Sequence, residues 1–228
     1  FDVEPGEVTA LIGENGAGKS TLIKILAGTE PAEDGSIVFM GNEVKMHSPS
    51  QARELGIETV YQDLALCPHL DPVNNLFLGR EIKARGLLGA LGFMNRKEMR
   101  QQSIDAFSDL GATVRTLTEP VGTMSGGQKQ SIAVARAAAW ANKIIFLDEP
   151  TAALGVVQTA NVLDLIRRVR DKGIGVVLIS HSMPEVLAVA DRVQVMRRGR
   201  RVAIYQAANT NIEELVATMT GKLDEEVA

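Results

Sequence analysis

Nine residues, Gly13 to Thr21 (GENGAGKST), have the types and spacing needed to hold a phosphate chain. They fit G-x-x-x-x-G-K-[ST], in which glycines let backbone N–H groups turn inward as a concave anion nest. Lys19 adds a point charge for β- and γ-phosphates, and the Ser20 hydroxyl is placed to ligate Mg²⁺. The predicted binding residues are thus Gly13, Glu14, Asn15, Gly16, Ala17, Gly18, Lys19, Ser20 and Thr21. Two carboxylates, Asp148 and Glu149, close the apolar run Ile144 to Leu147. A strand buried on both faces would deliver Asp148 to the sheet edge beside the phosphate loop, where it can hold Mg²⁺. Glu149, one residue on, is expected to point to the other side and serve as general base toward water. Ser180-His181 ends a neighbouring apolar run, which places His181 to contact a γ-phosphate and orient the water. Gln62 also follows a strand, where its amide could sense both Mg²⁺ and the attacking water.

A second anion-binding feature lies at Ser125-Gly126-Gly127-Gln128, directly before an Ala-rich helix. Ser125 reads as the N-cap, and the two glycines leave the helix start bare for an anion. One nucleotide hardly needs two such helix starts. The second is explained if it serves the nucleotide held by another copy, although a ligand-free Gly-rich cap remains an alternative.

These residues need elements to position them. Val8 to Ile12 reads as a buried strand feeding the loop, and a helix begins near Lys19 and ends at Gly28. Phe1-Asp2-Val3 looks like the second half of a strand, and without an initiator Met the protein is expected to start earlier. Ser36 to Met40 and Glu43 to Met46 read as a hairpin across Gly41-Asn42. Ser48-Pro49 starts a helix ending near Gly56, and Ile57 to Tyr61 is the next strand. From Gln62 to about Asn142, amphipathic segments (Val73 to Leu78, Asn95 to Leu110, Gln128 to Trp140) follow one another with no strand between. Strands then return at Ile144 to Asp148, Gly175 to Ser180, Val193 to Met196 and Arg201 to Tyr205. Helices are predicted at Val156 to Lys172, Pro184 to Ala190 and Asn211 to Gly221, with Asp224-Glu225-Glu226 fraying. The alternation predicts an α/β fold: a mostly parallel sheet flanked by helices, a small antiparallel β subdomain and an inserted helical subdomain. The expected division of 1–228 is an α/β core (1–62 and 143–208), the helical insertion (63–142), and a C-terminal helix and tail (209–228).

Composition narrows the class. Hydrophobic content of 45% with 4% aromatics describes an aliphatic core, and the net charge of −4 with no basic block argues against nucleic acid. A single cysteine, Cys67, excludes a disulfide framework. No apolar run approaches the ~20 residues of a membrane span, so any spans must come from another chain. His47, His69, Cys67 and Trp140 read as surface or packing residues.

Together these motifs resemble the ATP-binding subunits of ABC transporters, along essentially the whole chain. The order is that family's: phosphate loop (13–21), Tyr61-Gln62-Asp63, signature Met124-Ser125-Gly126-Gly127-Gln128, the strand ending in Asp148 and Glu149, and His181. The resemblance implies a head-to-tail dimer with two ATP, each between one copy's phosphate loop and the other's signature. It further implies Mg²⁺ at Ser20, Gln62 and Asp148, and docking of the segment after Gln62 onto membrane permease subunits. Its expected place is the cytoplasmic face of the cell membrane. Leu78-Gly79-Arg80-Glu81 and Thr151-Ala152-Ala153-Leu154 look like importers of monosaccharides, which work with a periplasmic sugar-binding protein. Three departures stand out. Met124 replaces a usual Leu, Gly155 stands where an Asp is usual, and the family's adenine-stacking aromatic would fall upstream of Phe1. Two other readings are a non-hydrolysing ATP-dependent regulatory dimer and a soluble ABC ATPase unconnected with transport. Intact Glu149, Gln62 and His181 speak against the first, and the lack of coiled-coil insertions or paired cassettes against the second.

Overall fold

The computed structural model describes residues 1–112 and 114–222. In chain order the strands are β1 (Val8–Ile12), β2 (Ile37–Phe39), β3 (Asn42–Val44), β4 (Ile57–Val60), β5 (Ile144–Asp148), β6 (Gly175–Ile179), β7 (Arg192–Arg197) and β8 (Arg200–Gln206). The helices are α1 (Lys19–Leu26), α2 (Pro49–Glu54), α3 (Pro72–Leu76), α4 (Leu87–Ala90), α5 (Arg96–Asp109), α6 (Gly126–Trp140), α7 (Val156–Asp171), α8 (Met183–Val189) and α9 (Ile212–Thr220). Six strands form one sheet in the order β4-β5-β6-β1-β7-β8, and β2-β3 form a separate two-stranded sheet. All pairings in the large sheet are parallel except β7 with β8.

The central strands read as nearly continuous apolar runs because both faces are covered. All five positions of β1 and of β6 are buried. Leu11, Phe146, Val177 and Ile179 pack with Ile23 of α1 and Ala52 of α2. Their neighbours in sequence face the other way: Ile145, Leu147, Val176 and Leu178 pack with Ile132 to Ala135 of α6 and Val162 to Val169 of α7. A third layer joins Ala10, Ile12, Val193 and Val195 to α8 and to Leu215 of α9. The α/β class, the mostly parallel sheet and the small antiparallel sheet are therefore as expected.

Three differences are physical in origin. Residues 1–3 form no strand. Side chains tie them down instead: Arg192 pairs with Asp2 at 2.7 Å, and Gln194 Nε2 donates to the Asp2 carbonyl at 2.6 Å. The first helix of the insertion starts at Pro72 rather than Val73, because Asp71 accepts from Asn74 N and caps it. Between α3 and α5 the chain makes an unforeseen small lobe, where α4 sits above an antiparallel bridge of Lys83 with Met94. The acidic tail Asp224-Glu225-Glu226 lies outside the described residues.

Candidate nucleotide-binding site

Four adjacent parallel strands, β4-β5-β6-β1, end at one edge of the sheet. At or just past those ends lie, in that order, Gln62, Asp148 with Glu149, His181, and the phosphate loop. In open parallel sheets the crevice at the carboxyl ends of the strands is where ligands bind. The topology thus gathers residues up to 168 positions apart in the chain.

The loop between β1 and α1 is tightly built. A Cβ at Gly13 would stand 2.3 Å from the Met196 carbonyl oxygen, so only glycine permits this approach to β7. Gly18 occupies the N-cap of α1 in the left-handed conformation, with no capping side chain in front of the helix N–H groups. Those groups and the positive end of α1 are left for an anion. Lys19 Nζ bonds back to the carbonyls of Gly13 (2.7 Å) and Glu14 (3.1 Å), which holds its charge over the loop. Burial lowers the Lys19 pKa, while Glu149 and Asp148 oppose that shift.

The Asp148 carboxyl is pushed up, chiefly by burial and then by the adjacent Glu149 charge, with Lys19 pulling it down. Glu149 does not continue the strand. Its φ of 51° turns the backbone into the left-handed region, and its N–H donates to the Ile179 carbonyl at 3.0 Å. That turn directs Glu149 Oε2 to His181 Nδ1, 2.8 Å away. Glu149 is mostly buried, whereas the His181 side chain is 80% exposed. The hydrogen bond and charge of Glu149 raise the His181 pKa. A cationic or neutral imidazole therefore rests on the carboxylate cast as general base.

Against this geometry the comparisons are decisive. The sequence profile described as ABC transporter matches residues 1–152. The chain belongs to the ABC transporter family. This cassette is 47% identical over 223 residues to the fructose import ATP-binding protein FrcA of Rhizobium meliloti, covering 97% of this chain and 86% of that protein. It is 44% identical to the xylose/arabinose import ATP-binding protein XylG of Sulfolobus acidocaldarius, covering 96% and 85%. A ribose import ATP-binding protein, RbsA of Streptococcus agalactiae, is 41% identical, and there the match spans 44% of the longer chain. Among solved structures, the ADP conformation of an ATP-binding cassette of an ABC transporter superposes with a TM-score of 0.77 at 26% identity, covering 96% of this chain and 86% of that one. A dimeric post-hydrolysis cassette bound to ADP and Pi shares the fold (TM-score 0.74, 23% identity, covering 91% and 88%).

The signature segment of the cassette folds as a capping box. Gln128 N donates to Ser125 Oγ, and Ser125 N donates to Gln128 Oε1 at 3.1 Å. The start of α7 lies against it: a Cβ on Gly127 would stand 2.6 Å from Gln158 Cγ, so glycine is required here too. Gly155, where the family's Asp is absent, caps α7 without a side-chain bond, and the Gln158 amide occupies the adjacent space. A cavity of about 220 Å³ lies here, lined by Ser125, Gly127, Gln128, Ser131, Val157, Gln158 and Asn161. None of those residues belongs to the phosphate loop or to the 148–149 and 181 cluster. A larger cavity of about 610 Å³, lined by Leu22, Ile25, Val38 and Phe39 among others, likewise includes no residue of 13–21.

Gln62 is exposed in a turn that Leu64 N closes on the Tyr61 carbonyl at 2.9 Å. Leu64 and Ala65 are both left-handed, at φ 61° and 45°. Arg136 of α6, missed from sequence, donates to their carbonyls at 3.0 and 2.8 Å and so fixes that turn to the signature helix. Its signal was available: a lone charge following the apolar stretch Ile132 to Ala135. No cluster of three His, Cys, Asp or Glu that could hold a metal occurs among the described residues. Ser20, Gln62 and Asp148 nevertheless offer only hard oxygen donors, the set that suits Mg²⁺ carried in with a nucleotide phosphate. No helix is long and apolar enough to cross a membrane among the described residues.

Proposed function

We propose that this cassette is the ATP-hydrolysing subunit of a monosaccharide importer. Its relatives' names point to sugar import, and one observation carries the chemistry: Glu149 Oε2 lies 2.8 Å from His181 Nδ1 at the sheet edge where β1 feeds the phosphate loop. In this reading the loop N–H groups and Lys19 hold the β- and γ-phosphates. Ser20, Gln62 and Asp148 would hold Mg²⁺, which would supply positive charge against the developing phosphate charge. Glu149 takes the proton of the attacking water, and His181, already bonded to Glu149, orients that water and meets the γ-phosphate. Ser125, Gly126, Gly127 and Gln128 act on the nucleotide of a second copy, closing the site only when two copies meet. Loss of the γ-phosphate then frees the signature helix, and α6 transmits this to the turn after Gln62 through Arg136. Membrane permease subunits docked near that turn receive the motion, and a periplasmic sugar-binding protein supplies the solute. The cassette works at the cytoplasmic face of the membrane.

Two measurements test this reading. Radiolabelled fructose, xylose or ribose uptake should be lost in cells whose cassette carries Lys19→Ala. Retained uptake of all three sugars by wild-type-deleted cells would contradict the importer assignment. Unchanged ATP turnover by the Lys19→Ala protein would contradict the site itself.

A further inference from the structure

The lobe between α3 and α5 exposes apolar side chains that the nucleotide site does not use. Leu87, Leu88, Leu91, Phe93 and Met94 are 78, 55, 66, 59 and 47% exposed. They are not on a floppy loop. Ala84 N donates to the Phe93 carbonyl (2.8 Å) and Asn95 N to the Ile82 carbonyl (2.7 Å), forming a two-stranded stem. The tip turn α4 lies directly on that stem, since a Cβ on Gly89 would stand 1.8 Å from the Ala84 oxygen. Gly86 and Gly92, on either side of the tip, have open space around them. The backbone thus holds three leucines exposed at a folded tip.

The charge around this tip runs against that of the chain. Lys83, Arg85, Arg96, Lys97 and Arg100 flank it, all exposed and none with an ion-pair partner among the described residues. Arg80 is paired with Glu58. Within 80–100 the carboxylates are Glu81 and Glu98, and both already accept local hydrogen bonds, in a chain of net charge −4. An apolar tip flanked in the chain by unpaired cations complements one surface well: an apolar interior beneath a layer of anionic headgroups. Neither signal suffices alone for stable attachment, and this lobe carries both.

We propose that the 82–97 lobe seats directly in the headgroup layer of an anionic bilayer, with Leu87, Leu88, Leu91 and Phe93 below it and the cations at phosphate level. This goes beyond the importer reading, in which the chain reaches the membrane only through its permease. The lipid contact would orient the cassette before or alongside that docking.

The test is flotation of the full chain with protein-free vesicles. Vesicles of phosphatidylcholine with about one-quarter phosphatidylglycerol should bind it at least about ten-fold more tightly than phosphatidylcholine alone, and less at about 0.5 M salt. Leu87→Asp with Phe93→Asp should abolish flotation, and Arg85→Glu with Lys97→Glu should weaken it at least about ten-fold. All four positions are exposed, so ATP turnover and the circular dichroism spectrum should stay as in the parent, which separates lost lipid contact from lost fold. Flotation that ignores these substitutions would overturn the proposal. So would an absence of binding to protein-free vesicles combined with binding to native membranes that proteolysis removes, which would give the lobe to a permease loop.

Discussion

At the scale of single residues, the site is organised by opposed charges in a partly dry crevice. Glu149 serves two groups: it raises the His181 pKa through a hydrogen bond, and it pushes Asp148 up beyond what burial does. Glu149→Gln should therefore bind ATP yet hydrolyse it about 10²–10⁴-fold more slowly, the usual range for a lost general base. In the same variant the His181 pKa should fall back toward the ordinary 6.5, read by NMR titration of the imidazole. An unmoved His181 titration would deny the bond. The stability sign follows from the raised His181 value: its contribution is full below the unfolded pKa and fades as pH climbs through the folded one. For Asp148 the raised pKa means that the ionised carboxylate disfavours the folded state. Asp148→Asn should accordingly raise the melting temperature at neutral pH. A lowered melting temperature would show that Lys19 outweighs Glu149 and burial at this carboxyl.

At the scale of elements, close backbone approach decides which substitutions fail. Gly13→Ala forces a methyl group against the Met196 carbonyl at 2.3 Å, so loop and β7 must part. Overpacking of this kind costs about 1–3 kcal/mol, and thermal unfolding should drop by about 2–4 °C for each of those kcal/mol. Arg136→Met should free the Leu64 and Ala65 carbonyls and loosen the turn bearing Gln62, with raised amide exchange at residues 62–66 as the readout. Wild-type protection there would deny the clamp. Much of this architecture was legible beforehand. Largely apolar runs at Val8 to Ile12 and Ile144 to Leu147, punctuated by Gly and Pro, announce strands buried on both faces. What stayed hidden depends on which strands become neighbours. The Glu149–His181 bond needs β6 beside β5 and a left-handed turn at Glu149, neither of which local pattern encodes. The lobe around α4 was unreadable because Gly86, Gly89 and Gly92 leave no helical period, and Phe1 to Val3 were misread as a strand because side chains of β7, not a neighbouring strand's backbone, tie them down.

At the scale of the whole molecule, the chain carries two helix starts able to meet an anion, at Lys19 and at Ser125, and separate sets of residues surround them. The start of α7 beside Ser125 exposes Val156 and Val157, at 89 and 69%, which is the kind of surface that a second copy would cover. The central claim is that ATP is hydrolysed only between two copies, and trapping the pair tests it most directly. Sedimentation velocity of the Glu149→Gln protein should show a dimer with ATP and a monomer with ADP. Adding Ser125→Arg should return the ATP form to a monomer that still binds ATP, because Ser125 lies outside its own chain's phosphate loop. A Glu149→Gln protein that binds ATP but stays monomeric, or a dimer indifferent to Ser125→Arg, would contradict the shared site.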